Sequence, residues 1–298
     1  MSQLVECVPN FSEGRNAHII QKILTPFFKT PGVKLLDYSS DKDHNRTVVT
    51  IMGEPSAVKK AILEVTGIAI ENIDLRKHQG AHPRMGAIDV VPFIPLRDYS
   101  MQDAVALARE TAQAMAERYE LPVFLYEKAA TAPVRENLAN IRKGEFEGLK
   151  EKMLQPEWKP DFGPDKPHSR AGASAVGARM PLIAFNINLH TSNLDIANQI
   201  ARCIRHISGG LRYCKAMGVE LKEKGMVQVS INMTDYTKTS LYRVFEMVKF
   251  EARRYGVAIA GSEIIGLTPM QALLDAAVYY MQIEDFGLDQ VIEYRMLE

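Results

Sequence analysis

Residues 33–73 read VKLLDYSSDKDHNRTVVTIMGEPSAVKKAILEVTGIAIENI, and their pattern decides the fold of the first half. Residues 33–38 and 47–52 are rich in strand-favouring side chains, the polar stretch 39–46 separates them, and Pro55 opens a helical pattern that runs to about Ile73. Working outward toward the N-terminus, residues 4–11 read as a strand ending in the turn residues Asn10, Ser12 and Gly14. Ile19, Ile20, Ile23, Leu24 and Phe27 then carry the spacing of one helix face over residues 17–28. On the other side, residues 86–94 form a further strand. The resulting order, βαββαβ, is the ferredoxin-like split motif. A helix over residues 101–119, a short strand at 123–126 and a helix near 134–142 extend this half.

Residues 154–178 hold several prolines and glycines among small side chains, which reads as a linker or a binding loop. Beyond them the order returns, with strands at 182–189, 212–219, 226–232 and 257–265 and helices at 194–206 and 239–255. A helix over residues 269–281 and an acidic, helical tail from Ile283 complete the chain. The fold expected is therefore α/β (α+β), with two ferredoxin-like subdomains, residues 1–178 and 179–298, whose sheets face each other across a small-molecule cleft. A pair of metabolite-sensing modules without chemistry would have the same fold.

Composition narrows the partners. Of 298 residues 46% are hydrophobic and 24% charged, an ordinary globular mixture, and 36 basic residues cancel 36 acidic ones. No global basic field exists to drive nucleic-acid or anionic-membrane binding. The opening residues lack a basic cluster and carry Glu6 and Pro9 where a signal peptide would be apolar, and no apolar run is long enough for a membrane span. Three cysteines without CxxC spacing argue against a disulfide framework or a zinc site, so a cytoplasmic protein without membrane contact is expected.

Three segments could carry chemistry. The densest is residues 76–86, RKHQGAHPRMG, followed by Asp89. His78 and His82 are four apart, but Gln79 stands where a zinc protease has Glu, and Gly80 and Pro83 oppose a helix, so no metal is expected. His82, bracketed by Gly80 and Pro83, is the favoured proton-transfer residue, with a hydrogen-bonded structural histidine as the bland alternative. The second is the turn after the first strand, where Asn10 would point an amide at the cleft while Ser12 or Asn16 caps the next helix. The third is the loop Gly163-Pro164-Asp165-Lys166-Pro167-His168-Ser169-Arg170-Ala171-Gly172, whose glycines admit a flat ligand and whose Lys166 and Arg170 suit a carboxylate. A plain linker explains the same composition.

CVPNFSEG, NRTVVT, HPRMGAIDVVPFIP, PDFGP with the following GASAVGAR, and LIAFNINL together resemble the formiminotransferase domain of the formimidoyltransferase-cyclodeaminase family, over nearly the whole chain. The resemblance implies two subdomains flanking a central substrate tunnel, a homodimer, and transfer of a formimino group from N-formimino-L-glutamate to N5 of tetrahydrofolate in histidine degradation. Tetrahydrofolate would be a co-substrate and no metal would be needed; apart from the resemblance, Lys159, Lys166 and Arg170 near the loop, with Lys215, Lys222 and Lys224, suggest a preference for its polyglutamyl form. The resemblance ends with the transferase portion, so a cyclodeaminase would be a separate partner. It also implies that His82 is catalytic and that residues 163–172 bind folate; Asn10 of the first turn and Arg84 of the histidine segment are expected to support the site. This chain departs from the family at Ser39, where vertebrate members carry an acid; Asp41 or Asp89 is left to supply the carboxylate. The sequence does not separate a formimino donor from a formyl donor, so a glutamate formyltransferase and a non-catalytic folate-binding module stay open.

Overall fold

The computed structural model describes residues 3–296, which fall into two compact units, Met1–Arg179 and Met180–Glu298. In the first, the opening strand is interrupted at Val8 and Pro9 into β1 (Leu4–Cys7) and β2 (Asn10–Phe11), since proline has no N–H to donate to a ladder. Helix α1 (Ala17–Lys29) starts where the Asn16 side chain accepts from the His18 and Ile19 amides, and it buries Ile20, Ile23, Leu24 and Phe27. Strands β3 (Val33–Asp41) and β4 (Arg46–Gly53) form a hairpin. Helix α2 (Pro55–Asn72) carries proline in its first turn and buries Val58, Ala61, Ile62, Val65 and Ala69 on one face. Strand β5 (Ile88–Arg97) follows, and α3 (Met101–Tyr119) opens on a reciprocal Ser100–Asp103 cap.

β1 and β2 both lie between β4 and β5, so the antiparallel order is β3, β4, β1/β2, β5, as in a ferredoxin-like sheet. Two parallel strands lengthen it. β6 (Val123–Glu127) is the edge, and between it and β5 runs β7 (Ser174–Ala178), inside the segment expected to be linker. The alternation that marks a strand is missing there because both faces are covered and every side chain is small: Val176 and Ala178 pack toward α2 and α3, while Ala173 and Ala175 pack with Met85, Phe124, Met153 and Trp158 on the opposite face. The helix expected near residues 134–142 is two short ones, α4 (Pro133–Glu136) and α5 (Leu138–Arg142), divided at Asn137, whose side chain accepts from the Ala139 amide. A helix without a counterpart in the sequence reading, α6 (Glu145–Lys152), follows.

The second unit contains β8 (Ile183–Leu189), α7 (Leu194–Ile204), β9 (Cys214–Leu221), β10 (Met226–Met233), α8 (Leu241–Arg253) and β11 (Ile259–Ile265). Its sheet is antiparallel throughout in the order β11, β8, β10, β9, again ferredoxin-like. Alternate residues Ile183, Phe185, Ile187 and Leu189 of β8 enter its core with Ile200 and Val244 from the helices. α9 (Met270–Met281) follows, and the acidic tail is helical only in a 3-10 turn at Leu288–Gln290 and in α10 (Ile292–Arg295).

Candidate active site

Residues 77–86 are a loop laid over the turn between β3 and β4. The Ala81 amide donates to the Asp43 carbonyl at 3.0 Å, and Asn45 Nδ2 donates to the Gln79 carbonyl at 3.0 Å. Gly80 is the point of closest approach: a Cβ there would lie 2.4 Å from the His44 carbonyl oxygen, so any side chain would push the loop away. Asn45 has φ 49, a left-handed conformation that asparagine tolerates, and its Oδ1 accepts the Gly14 amide at 2.9 Å. Ser12 leaves the capping of α1 to Asn16 and instead donates to the Gly86 carbonyl at 2.7 Å. These bonds join the turn after β2, the β3–β4 turn and the His82 loop into one patch.

Within it, Arg46 Nη1 lies 3.2 Å from His82 Nε2. A guanidinium only donates, so Nε2 accepts and Nδ1 carries the ring hydrogen. Burial, then the positive charges of Arg46 and Arg142, pull the His82 imidazole down to about 3 against a smaller opposing effect of Asp89. His82 is therefore neutral at pH 7 and, in the free protein, a poor proton acceptor. The two arginines, from the start of β4 and the end of α5, reach His82 only through the tertiary fold. Arg46 has no carboxylate within ion-pair distance among the described residues.

His78 is occupied differently. Its Nδ1 accepts from Arg84 Nε at 3.1 Å and its Nε2 lies 2.9 Å from the Asn45 carbonyl, so both ring nitrogens are engaged in holding the loop. Among the described residues no three His, Cys, Asp or Glu side chains gather as metal ligands. Arg84 is buried and spends its donors on Glu145, Glu147 and His78, tying the loop to α6. Asp89 is also buried: Oδ1 accepts from the Met85 and Gly86 amides at 2.7 and 3.0 Å, and Oδ2 accepts from Arg142 Nε and Nη2 at 2.8 and 2.5 Å. With both oxygens engaged it shapes the loop and has no oxygen left for a proton from a substrate. Asp41 stays at the rim beside His44, and Asn10 Nδ2 donates to the Val8 carbonyl at 2.9 Å.

Against known proteins, residues 4–179 match the formiminotransferase domain, N-terminal subdomain, and residues 184–294 match the formiminotransferase domain. The chain belongs to the formiminotransferase family. It is 51% identical to a glutamate formimidoyltransferase of Streptococcus pyogenes over all of both chains. It is 46% identical to one of Thermoplasma acidophilum, covering 98% of this chain and 97% of that one. With the formimidoyltransferase-cyclodeaminase of Rattus norvegicus it shares 46% identity over all of this chain and 56% of the relative.

In this formiminotransferase, loop 163–172 is a closed turn. His168 and Gly172 exchange backbone hydrogen bonds at 2.8 and 2.9 Å, and His168 Nδ1 accepts from the Arg170 and Ala171 amides at 3.3 and 3.0 Å. Asp165 pairs with Lys159 at 2.6 Å, and Arg170 Nε lies 3.7 Å from Asp74, a carboxylate that Arg76 holds more closely at 2.6 Å. Lys166 and Ser169 are exposed, Pro164 and Pro167 half-buried, and Ala171 buried. Gly163 has φ +89 and a Cβ there would meet the Leu121 carbonyl oxygen at 2.6 Å, so its glycine is explained by the backbone alone. Asp161 of PDFGP is the buried partner of Arg135 at 2.8 Å.

Several polar groups escaped the sequence reading. Arg46, Arg142 and His44 carry no motif that marks them in the sequence. In the second unit, Gln228 Nε2 donates to Asn188 Oδ1 and Glu263 Oε1, both at 2.8 Å, and Asn186 Nδ2 reaches Glu263 at 3.3 Å. Their signal was polar amides alternating with buried apolar residues in β8 and β10, which places them on the sheet face opposite the helices.

Proposed function

We infer that this chain is an enzyme that transfers the formimino group from N-formimino-L-glutamate to N5 of tetrahydrofolate and releases L-glutamate. The reading rests on one observation: a half-buried arginine, Arg46, stands beside the neutral His82 with no carboxylate at ion-pair distance among the described residues. A dicarboxylate donor supplies the missing partner, because a charge-assisted pair to a desolvated guanidinium is among the stronger hydrogen bonds available. His82 then presents Nδ1–H toward the formimino group. Identity of 51% to a glutamate formimidoyltransferase over the full length supports the same reaction.

The chemistry conserves one proton. N5 attacks the formimidinium carbon, the C–N π pair moves onto nitrogen, and N5 becomes positively charged. Collapse to products requires that proton to leave N5 and a proton to reach the departing glutamate nitrogen. Proton transfer of this kind is worth on the order of 10²–10⁴ in rate, while holding donor and folate together supplies more through effective concentration. Residues 163–172 are the proposed folate contact, with tetrahydrofolate as co-substrate and a second copy of the chain and a separate cyclodeaminase as proposed partners, read out by light scattering and co-purification.

The deciding experiment incubates the purified protein with formiminoglutamate and tetrahydrofolate and measures glutamate release. Turnover of N-formylglutamate in its place would move the assignment to formyl transfer, and folate binding without turnover of either donor would leave a binding module. For the loop, Ser169→Trp adds bulk at an exposed site without disturbing a glycine backbone, and it should raise KM for tetrahydrofolate and leave KM for formiminoglutamate unchanged. Unchanged folate affinity would make the loop purely structural.

A further inference from the structure

The active-site patch holds an imidazole besides those of His78 and His82. His44 lies in the β3–β4 turn, its ring centroid 6.4 Å from that of His82 and the two rings edge to face. His44 Nδ1 is 2.9 Å from Asp41 Oδ2, and Asp41 Oδ1 accepts the amides of Asp43 and His44, both at 2.8 Å. The carboxylate is thus fixed by the turn; the amide of His44 foremost among its bonds holds it below the usual carboxylate range, so it is ionised and acts as the acceptor. An ionised carboxylate on Nδ1 requires the hydrogen to sit there, which leaves the Nε2 lone pair outward. Nε2 has no protein partner among the described residues, and the side chain is 49% exposed.

The two histidines are therefore held in the same tautomer by opposite means. Arg46 donates to His82 Nε2 and consumes its lone pair; Asp41 accepts from His44 Nδ1 and frees the lone pair on the other side. One ring is arranged to donate a hydrogen bond and the other to accept a proton. We propose that His44, oriented by Asp41, is a further catalytic residue of the transfer, taking the proton from N5 and returning it to the departing nitrogen, while His82 holds the formimino group with its Nδ1–H.

This role rests on the formimino-transfer reading. It balances without a second acid: N5 loses its proton to His44 Nε2, the glutamate nitrogen receives that proton, and the C–N bond to glutamate breaks with its electron pair leaving on nitrogen. His44 ends neutral. The arrangement also answers the departure at Ser39. The carboxylate missing from the strand is supplied two residues later by Asp41, acting as a positioning residue through an imidazole. Around the dyad stand Lys42 and Asp43 of the same turn, Arg46 of β4, and Arg15, whose Nε donates to the Lys42 carbonyl at 2.7 Å.

Two variants test it. His44→Ala should lower kcat at least a hundredfold with KM for both substrates within about threefold, and added imidazole should restore part of the rate through the vacated, solvent-open position. Asp41→Asn keeps an oxygen for the two turn amides but offers an amide donor to Nδ1. Nitrogen-15 NMR of the His44 ring should then show the hydrogen moved from Nδ1 to Nε2, with kcat lowered and KM retained. A His44→Ala enzyme within threefold of wild-type kcat would overturn the proposal and return the proton to His82. So would a rate loss that imidazole does not relieve while the Asp41→Asn tautomer stays unchanged. A wild-type protein inactive on both formimino and formyl donors would remove the functional reading itself, and this role with it.

Discussion

Arg46 Nη1 stands 3.2 Å from His82 Nε2, and this contact sets the tautomer of the imidazole, while burial foremost and then the charges of Arg46 and Arg142 keep it neutral. The guanidinium cannot accept, so the ring hydrogen is confined to Nδ1. Arg46 lies near Arg142 and, among the described residues, has no carboxylate within ion-pair distance, so the proposed reading gives it the carboxylate of the donor.

Replacing Arg46 with Met should therefore act on the donor more than on the folate. Loss of a hydrogen bond to a charged group costs about 1.5–3 kcal/mol, so KM for formiminoglutamate should rise roughly 10- to 100-fold. Initial rates with each substrate varied in turn check this. A comparable rise for tetrahydrofolate would place the arginine elsewhere in the reaction.

His82→Asn should lower kcat by about two orders of magnitude or more if its Nδ1–H meets the reacting group. His78→Gln should do much less to kcat and should lower the melting temperature, since both nitrogens of His78 serve the loop. Parallel kcat and Tm measurements separate the two residues; equal kcat losses at both would contradict the division.

Stability should fall on the acid side of neutrality. His82 is held at about 3, and burial also lowers His78 and His168, all from an ordinary 6.5. Between those values the unfolded chain binds protons that the folded one does not, so stability is complete above the unfolded pKa and declines as pH drops below about 6.5. Urea midpoints at pH 7 and 5 measure it. The decline should be shallower in His82→Asn, and an identical decline would place the coupling at other groups.

Gly80→Ala should damage catalysis beyond its cost in stability. The added methyl would sit 2.4 Å from the His44 carbonyl oxygen and 2.8 Å from Asn45 Cβ, lifting the loop that carries His82 off the turn that carries Arg46. A misplacement of about 1 Å can cost 10²-fold in rate. Retention of wild-type kcat would show that the approach is looser than described.

A polyglutamate tail should help folate binding only modestly. Lys159 already faces Asp165 and Arg170 lies 3.7 Å from Asp74, which leaves exposed Lys166, in the loop itself, as a receiver worth about 0.2–1 kcal/mol. KM for pentaglutamyl tetrahydrofolate should be a few-fold below that of the monoglutamate at low salt, and the difference should vanish as the Debye length falls to about 3 Å at 1 M. Equal values at low salt would end the idea.

Strand and helix periodicities are local properties of side-chain spacing, so the order of elements in both ferredoxin-like units could be read along the chain, and the HPRMG and PDFGP motifs pointed to the family. The sequence by itself also marked His82 for attention through Gly80 and Pro83. Tertiary structure alone decided the rest. β7 was hidden because a strand buried on both faces by small residues has no alternation to read. The roles within the site were hidden because they depend on contacts across long stretches of chain: Asp89 is consumed by Arg142, 53 residues away, His82 is engaged by Arg46, 36 residues away, and the dyad at Asp41 and His44 becomes relevant only when Gly80 lets the loop settle on its turn. The tautomer of His82 follows from a partner that only folding brings within hydrogen-bond distance.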